Sequence, residues 1–196
     1  MTSAVNTNRY GSSMGTARRS RDDWTAVGLT HLGEVGVDKV RVDRIANELG
    51  VTKGSFYWHF KDRNELLGLI VDGWETRHTE EVIRSAEASG PDPRERAARL
   101  WSITRGDPSI RAELAIRDWA RRDEQVASKV RRVDDRRLRY VESLLSELGV
   151  QSHEISARSL LLYSLVFSDY LITTTHPERI RRQMVNDAFE LLLTPD

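Results

Sequence analysis

Five consecutive residues, Phe56-Tyr57-Trp58-His59-Phe60, concentrate more contact chemistry than any other stretch of the chain. At about 100° per residue they point around the whole circumference of a helix, so they cannot all enter one core. Phe56 and Phe60, at i and i+4, share the inward face, which leaves Tyr57 and Trp58 directed at solvent or a partner. Thr52, Lys53, Gly54 and Ser55 precede them, offering hydroxyls and an ammonium that can donate to phosphate oxygens or to guanine O6 and N7. Lys61 and Arg63 follow where a new helix begins, a position already favourable to anions. This is the chemistry of duplex DNA recognition. The competing reading is a helical corner that touches no nucleic acid.

Catalytic chemistry is far less well supported. Glu75-Thr76-Arg77-His78 makes one E-x-x-H pattern, but a di-iron carboxylate site needs two such motifs and two further Glu ligands, and no other His has Glu three residues before it. Ser, His and Asp are scattered without a nucleophile elbow, and no glycine-rich phosphate loop follows a strand. We therefore expect no enzyme, no metal and no cofactor. A helical-bundle enzyme and a protein adaptor remain the rival classes.

The elements that must position the aromatic run are helices. Only 12 Gly and 5 Pro occur in 196 residues, too few for a meander of short strands. Ser20 and Asp23 form a capping pattern for a first helix that buries Trp24, Val27 and Leu32. Val42, Ile45, Ala46 and Leu49 fall at i, i+3, i+4 and i+7 of a second, stopped by Gly50. Thr52 opens a third, Lys53 to Phe60. Asp62 with Glu65 caps a fourth that runs towards Ala88. Further helices span Arg94 to Thr104, Ser109 to Arg121, Glu124 to Leu148, His153 to Thr174 and Glu178 to Leu193, separated by Gly and Pro. The expectation is an all-α chain of about nine helices with no strand.

Hydrophobic residues at 39% suffice for a core under a surface carrying 31% charged residues. The absence of Cys removes disulfides, thiolate metal sites and Cys nucleophiles, and suits a cytoplasmic location. Leu160 to Phe167, the longest apolar stretch, is far short of the roughly 20 residues that span a bilayer. Net charge is zero, yet residues 1–63 hold ten Lys/Arg against seven Asp/Glu, an uneven distribution that bears on partner choice but is small enough to arise by chance. Residues 1–20, rich in Ser, Thr, Asn and Gly, read as a disordered arm whose Arg9, Arg18 and Arg19 could enter a minor groove.

Val42 to Leu67, VDRIANELGVTKGSFYWHFKDRNELL, resembles the DNA-binding signature of the TetR family of bacterial regulators, with its Ile-Ala, Gly-Val-Thr, Tyr-x-His-Phe and a basic residue before the apolar run. The likeness covers roughly Asp22 to Trp74. It implies a three-helix helix-turn-helix DNA-binding head over 21–66 and a regulatory body over 67–196 that binds a small-molecule effector and dimerises through its last two helices. The DNA contacts it implies map onto Lys53, Gly54, Ser55, Tyr57, Trp58, His59, Lys61 and Arg63, to which Thr52 adds a hydroxyl. One departure stands out: the family usually caps the second helix with Thr or Ser, whereas Arg41 is here, free to serve a phosphate instead.

Within the body, apolar residues surround the His153 to Thr174 helix, implying burial on two faces. Leu161 and Leu165 there, with Ile180, Met184, Ala188 and Leu191 on the last helix, suit a two-fold four-helix interface, or else ordinary core. The effector cavity is an implication of the resemblance. Trp101, Trp119, Tyr163, Phe167 and Tyr170 are candidates to line it, with Arg105, Glu113, Arg117 or Asp118 to orient a polar group. Glu113 and Arg117, at i and i+4, can equally pair with each other. The function expected is a repressor that holds a palindromic operator as a homodimer and is released by a small molecule, the alternatives being a co-repressor-dependent regulator or an activator.

Overall fold

The computed structural model describes residues 19–105 and 107–195. Ten α-helical segments lie in the order α1 Arg21–Val35, α2 Val42–Glu48, α3 Lys53–Phe56, α4 Arg63–Glu75, α5 Val82–Glu87, α6 Pro93–Thr104, α7 Ile110–Ala120, α8 Glu124–Glu147, α9 Ile155–Leu171 and α10 Glu178–Leu193. Thr76–Glu81 is π-helical and joins α4 to α5 in one rod, so the described residues form nine rods and no strand. The all-α expectation holds. The expected arm at 1–20 falls, for residues 1–18, outside the described residues.

Local chemistry explains the helix ends. Ser20 and Asp23 form the complete capping box, with Asp23 N donating to Ser20 Oγ at 3.2 Å and Ser20 N to Asp23 Oδ2 at 2.8 Å. Asp62 accepts from Glu65 N at 2.9 Å. α2 ends in a Schellman motif: Val51 N reaches Ala46 O at 3.0 Å and Gly50 N reaches Asn47 O at 3.1 Å, with Gly50 at φ 69°. That turn fixes the direction in which α3 leaves α2. The third helix is shorter than its sequence pattern, because Tyr57, Trp58 and His59 N–H groups bond three residues back and tighten the chain into a turn.

The core forms two apolar clusters. The first joins Trp24, Ile45, Phe56, Phe60, Leu66 and Ile70 of the N-terminal helices to Ala112 and Ile116 of α7 and to Val126, Val130 and Val133 of α8. Trp24 anchors it, edge-on to Phe56 at 5.4 Å and to Phe60 at 6.2 Å. The second gathers Ile83, Ala86, Ala97, Tyr140, Leu144, Leu162 and Phe189. α8 crosses both clusters. Its outer cations Lys129, Arg132 and Arg136 pair with Asp72, Glu75 and Glu80 along the α4 rod, contacts that orient the helices more than they stabilise them.

Candidate nucleic-acid interface and effector cavity

The two inward aromatics of the FYWHF run are buried, while Tyr57 is 61% and Trp58 74% exposed. Thr52, Lys53 and Gly54 are exposed beside them, and Ser55 and His59 are half-buried. Ser55 Oγ donates to Thr52 O at 2.7 Å, which leaves the hydroxyl its capacity to accept. Phe56 supports Tyr57 edge-on at 5.2 Å, so the phenol is held at the surface by the core below it. α3 and the turn after it thus present one patch of hydroxyls, an ammonium and aromatic edges, mounted on a rigid base.

Two of the expected contacts sit differently. Arg63 does not reach outward: its Nε donates to Val40 O at 2.8 Å and its Nη2 to Val37 O, bracing the turn before α2. A guanidinium with two carbonyl partners at hand is satisfied inside the fold. Arg41 gives α2 no side-chain cap and forms a fork with Asp43 at 3.0 and 3.1 Å, which lowers the Asp43 carboxyl below its ordinary range. Lys61 is exposed. Arg19, a candidate for a minor groove in the sequence, here donates its Nε to Leu49 O at 3.0 Å and ties the chain before α1 to the helix-turn-helix.

Between the π turn, α6, α7, α8, α9 and α10 lies a cavity of about 100 Å³. Of the residues the sequence offered for an effector site, Trp101, Glu113 and Tyr163 are in its wall. Trp101 stacks on Phe189 at 4.6 Å and donates to Asn186 Oδ1 at 3.2 Å. The other candidates stand elsewhere. Arg105 lies over the Trp101 ring and bonds Asn186 and Arg182 O on α10. Trp119 is partly buried against the N-terminal cluster. Phe167 lines an outer groove between α9 and α10, Asp118 pairs with Arg122, and Tyr170 is exposed.

Arg117 sits behind the wall in an ionic knot. It donates to Glu113 Oε1 at 2.8 Å, Asp134 Oδ1 at 2.6 Å and Tyr163 Oη at 2.7 Å. Arg137 donates to the same Glu113 oxygen at 2.7 Å, to Tyr163 Oη at 3.0 Å and to the His78 carbonyl at 3.0 Å. Burial works to raise the Glu113 carboxyl, but Arg137 and Arg117 outweigh it and keep it ionised below its usual range. Burial also pushes the Tyr163 phenol up, holding it neutral.

Sequence reasoning missed the walls made by the π turn and α8: His78, Thr79, Arg137, Tyr140, Val141 and Leu144. The α8 signal was present, since residues 137, 140, 141, 144 and 145 follow one helical stripe with Arg137 at its head. The π turn carries no such signal. Among the described residues no group of His, Asp or Glu is placed to hold a metal ion, and Glu75 and His78 go to separate partners, Arg132 and Ser109. Dimer candidates Leu161, Leu165, Ala188 and Leu191 line the outer groove; Met184 is exposed and Ile180 half-buried.

Together these features define an all-helical protein with a helix-turn-helix head and a hollow helical body. The family described as bacterial regulatory proteins, tetR family, matches residues 26–70, the helix-turn-helix part of the chain. Over 59 residues it is 37% identical to the HTH-type transcriptional regulator AcrR of Shigella flexneri, covering 30% of this chain and 26% of that protein. Over 58 residues it is 36% identical to the class A tetracycline repressor from transposon 1721 of Escherichia coli, covering 29% and 27%. The alignments thus span about a quarter of either relative.

Likeness of fold extends much further. A transcriptional regulator from Rhodococcus superposes with a TM-score of 0.69 at 16% identity, covering 89% of this chain and 94% of that one. AibR in complex with isovaleryl coenzyme A and operator DNA gives 0.63 at 16% identity, covering 89% and 100%. At such identities the shared property is the fold. No helix among the described residues is long and apolar enough to cross a membrane.

Proposed function

We propose that this protein is a ligand-responsive transcriptional repressor that binds a palindromic operator as a homodimer in the cytoplasm and is released by a small molecule. The observation that carries the reading is the exposed Tyr57–Trp58 face on a braced helix-turn-helix within the family-matched segment. In this reading 21–66 is the DNA-binding head and 67–196 the regulatory body. Thr52, Lys53, Gly54, Ser55, Tyr57, Trp58, His59 and Lys61 meet DNA, Lys53 at base edges and Tyr57 and Lys61 at phosphates. Arg41 joins them only by leaving Asp43, and Arg63 acts by holding the head in shape.

Linkage supplies the switch. An effector that prefers the conformation with misaligned heads lowers operator affinity by the same factor by which operator lowers effector affinity. The listening part is the cavity, and AibR, with its acyl-coenzyme A and operator, offers a precedent on the same fold. Selection of bound sequences from a random duplex pool tests the reading directly. A two-fold palindrome is the expected outcome, with Lys53→Ala relaxing preference at one position per half-site by about 1–3 kcal/mol. No enrichment by a folded protein, with or without candidate effectors, would remove the DNA-binding claim. Enrichment only with effector present would instead establish the co-repressor alternative.

A further inference from the structure

The cavity's polar inventory restricts what fills it, and the restriction rests on reading the cavity as the effector site. Most of the wall is apolar, with Val82, Ile83, Leu100, Leu144, Leu162 and Phe189 among its residues. The charge of the ionic knot is already cancelled: two carboxylates, Glu113 and Asp134, meet two guanidiniums, Arg117 and Arg137. Arg117 is committed to Glu113, Asp134 and Tyr163, and Arg137 to Glu113, Tyr163 and the His78 carbonyl. Asp107, at the edge, accepts Ser109 N at 2.8 Å and stands 3.8 Å from His78 Nδ1. A carboxylate entering this space would lose its water and break an existing ion pair to find a counter-charge, and an ammonium would find a carboxylate outside the knot only at Asp107, on the partly exposed edge.

Neutral hydrogen-bonding capacity, in contrast, is left over. Thr79 is 2% exposed and its Oγ1 has no hydrogen-bond partner. His78, its neighbour on the π turn, uses Nδ1 towards Ser109 Oγ at 3.2 Å, so Nε2 is available. Burial lowers the His78 ring below its ordinary range, favouring the uncharged imidazole, which can donate or accept. An orphaned buried hydroxyl costs stability until something pairs with it. The cavity, about 100 Å³, is of the order of the ~150 Å³ apolar cavity that takes benzene.

We infer that the effector is an uncharged, mainly hydrocarbon molecule carrying one hydroxyl or carbonyl oxygen, which binds at the His78–Thr79 end of the cavity while its hydrocarbon part meets Trp101, Leu144 and Phe189. Such a ligand leaves the ionic knot intact and satisfies the hydroxyl that the fold leaves unpaired. The π turn is thereby the ligand-reading element.

The test is calorimetric titration of the full chain, without DNA, using two size-matched sets: hexan-1-ol, hexanoate and hexylammonium, and phenol, benzoate and benzylammonium. The neutral members are expected to bind at least about tenfold tighter than their charged counterparts, because a buried charge loses its water and the ionic knot offers it no free partner. Thr79→Val, nearly isosteric and removing an unpaired hydroxyl, should retain or raise the melting temperature yet weaken hexan-1-ol about fivefold, leaving cyclohexane unchanged. Glu113→Gln, which unbalances the knot towards positive charge, should improve hexanoate selectively. Equal or tighter binding of either charged series overturns the inference, as does failure of all six probes or indifference of hexan-1-ol to both Thr79→Val and His78→Phe. Because no DNA is present, these results stand apart from the regulatory reading, which fails separately if a bound ligand leaves operator occupancy unchanged.

Discussion

Gly33 of α1 lies so close to Ala112 of α7 that a Cβ on the glycine would come within 2.7 Å of the Ala112 backbone nitrogen and 3.1 Å of its Cα. Ile110 and Glu113, on either side of Ala112, line the cavity. α7 is thus a short rod with its first turn on the cavity wall and against the head. Gly33→Ala meets backbone, which cannot swing aside, and is expected to destabilise the protein by about 1–3 kcal/mol. Gly28→Ala meets side chains and no backbone, Ile70 Cδ1 at 2.5 Å and Ile45 Cδ1 at 3.6 Å, and should cost less. Denaturant midpoints of the two variants decide this, and an equal cost would mean that the α1–α7 crossing is looser than its geometry.

Gly68 offers the opposite case. It lies inside α4, and a Cβ there would meet nothing within 4 Å. The glycine only adds backbone freedom to the unfolded chain. Gly68→Ala should raise stability by about 0.5–1 kcal/mol with the same denaturation slope. A loss would show that another copy or a ligand approaches the backbone at this point.

Arg63 and Lys61 separate bracing from DNA contact. Arg63→Ala removes the guanidinium from the Val40 carbonyl and leaves the Val37 carbonyl only the Val40 N–H at 3.3 Å, so melting should fall, by roughly 1–3 kcal/mol, with no change in the salt dependence of DNA binding. Lys61→Ala should leave melting untouched and reduce the salt slope by about one. Reversed results would return Arg63 to the phosphates.

How far the sequence carries depends on whether the signal is local. Ser20–Asp23, Asp62 and Gly50 specify helix ends through groups within five residues, and those ends stand where they were expected. The outward direction of Tyr57 and Trp58 follows from angular spacing alone. The cavity depends on long-range assembly. Trp119 and Tyr163 look alike as buried-aromatic candidates, yet one packs on the N-terminal cluster and the other joins a knot with Arg117 and Arg137. Periodicity does not tell two cores apart. Thr76–Glu81 was legible only as more helix, because a π turn has the composition of an α turn and arises where a neighbour, here Arg137 donating to His78 O, draws on the backbone.

His78 should leave a mark on the pH dependence of stability. Burial is the leading cause holding its ring below the ordinary 6.5, opposed by Asp107. A depressed histidine is protonated in the unfolded chain before the folded one, so stability falls as pH drops from just above 6.5 to the folded value and then levels. His78→Gln should flatten the curve in that window. If wild type and variant run parallel from pH 7.5 to 5.5, the ring is not desolvated as placed.

Leu161 of α9 and Leu191 of α10, 53% and 74% exposed, line one apolar groove with Leu165, Phe167 and Ala188. Exposed leucines clustered with other apolar groups mark a surface meant to be covered, and a two-fold partner presents the same groove in return. A stable pairing buries at least about 1,200 Å² in total, which two helices from each copy can supply. Sedimentation should therefore give a dimer at micromolar concentration, and the pair Leu161→Asp with Leu191→Asp a folded monomer, since each carboxylate would be desolvated without a counter-ion. The same pair should reduce binding of a palindromic duplex to that of a half-site while leaving hexan-1-ol binding in the cavity intact. A monomeric wild type, or a double variant that still sediments as a dimer, would move the self-association surface away from α9 and α10.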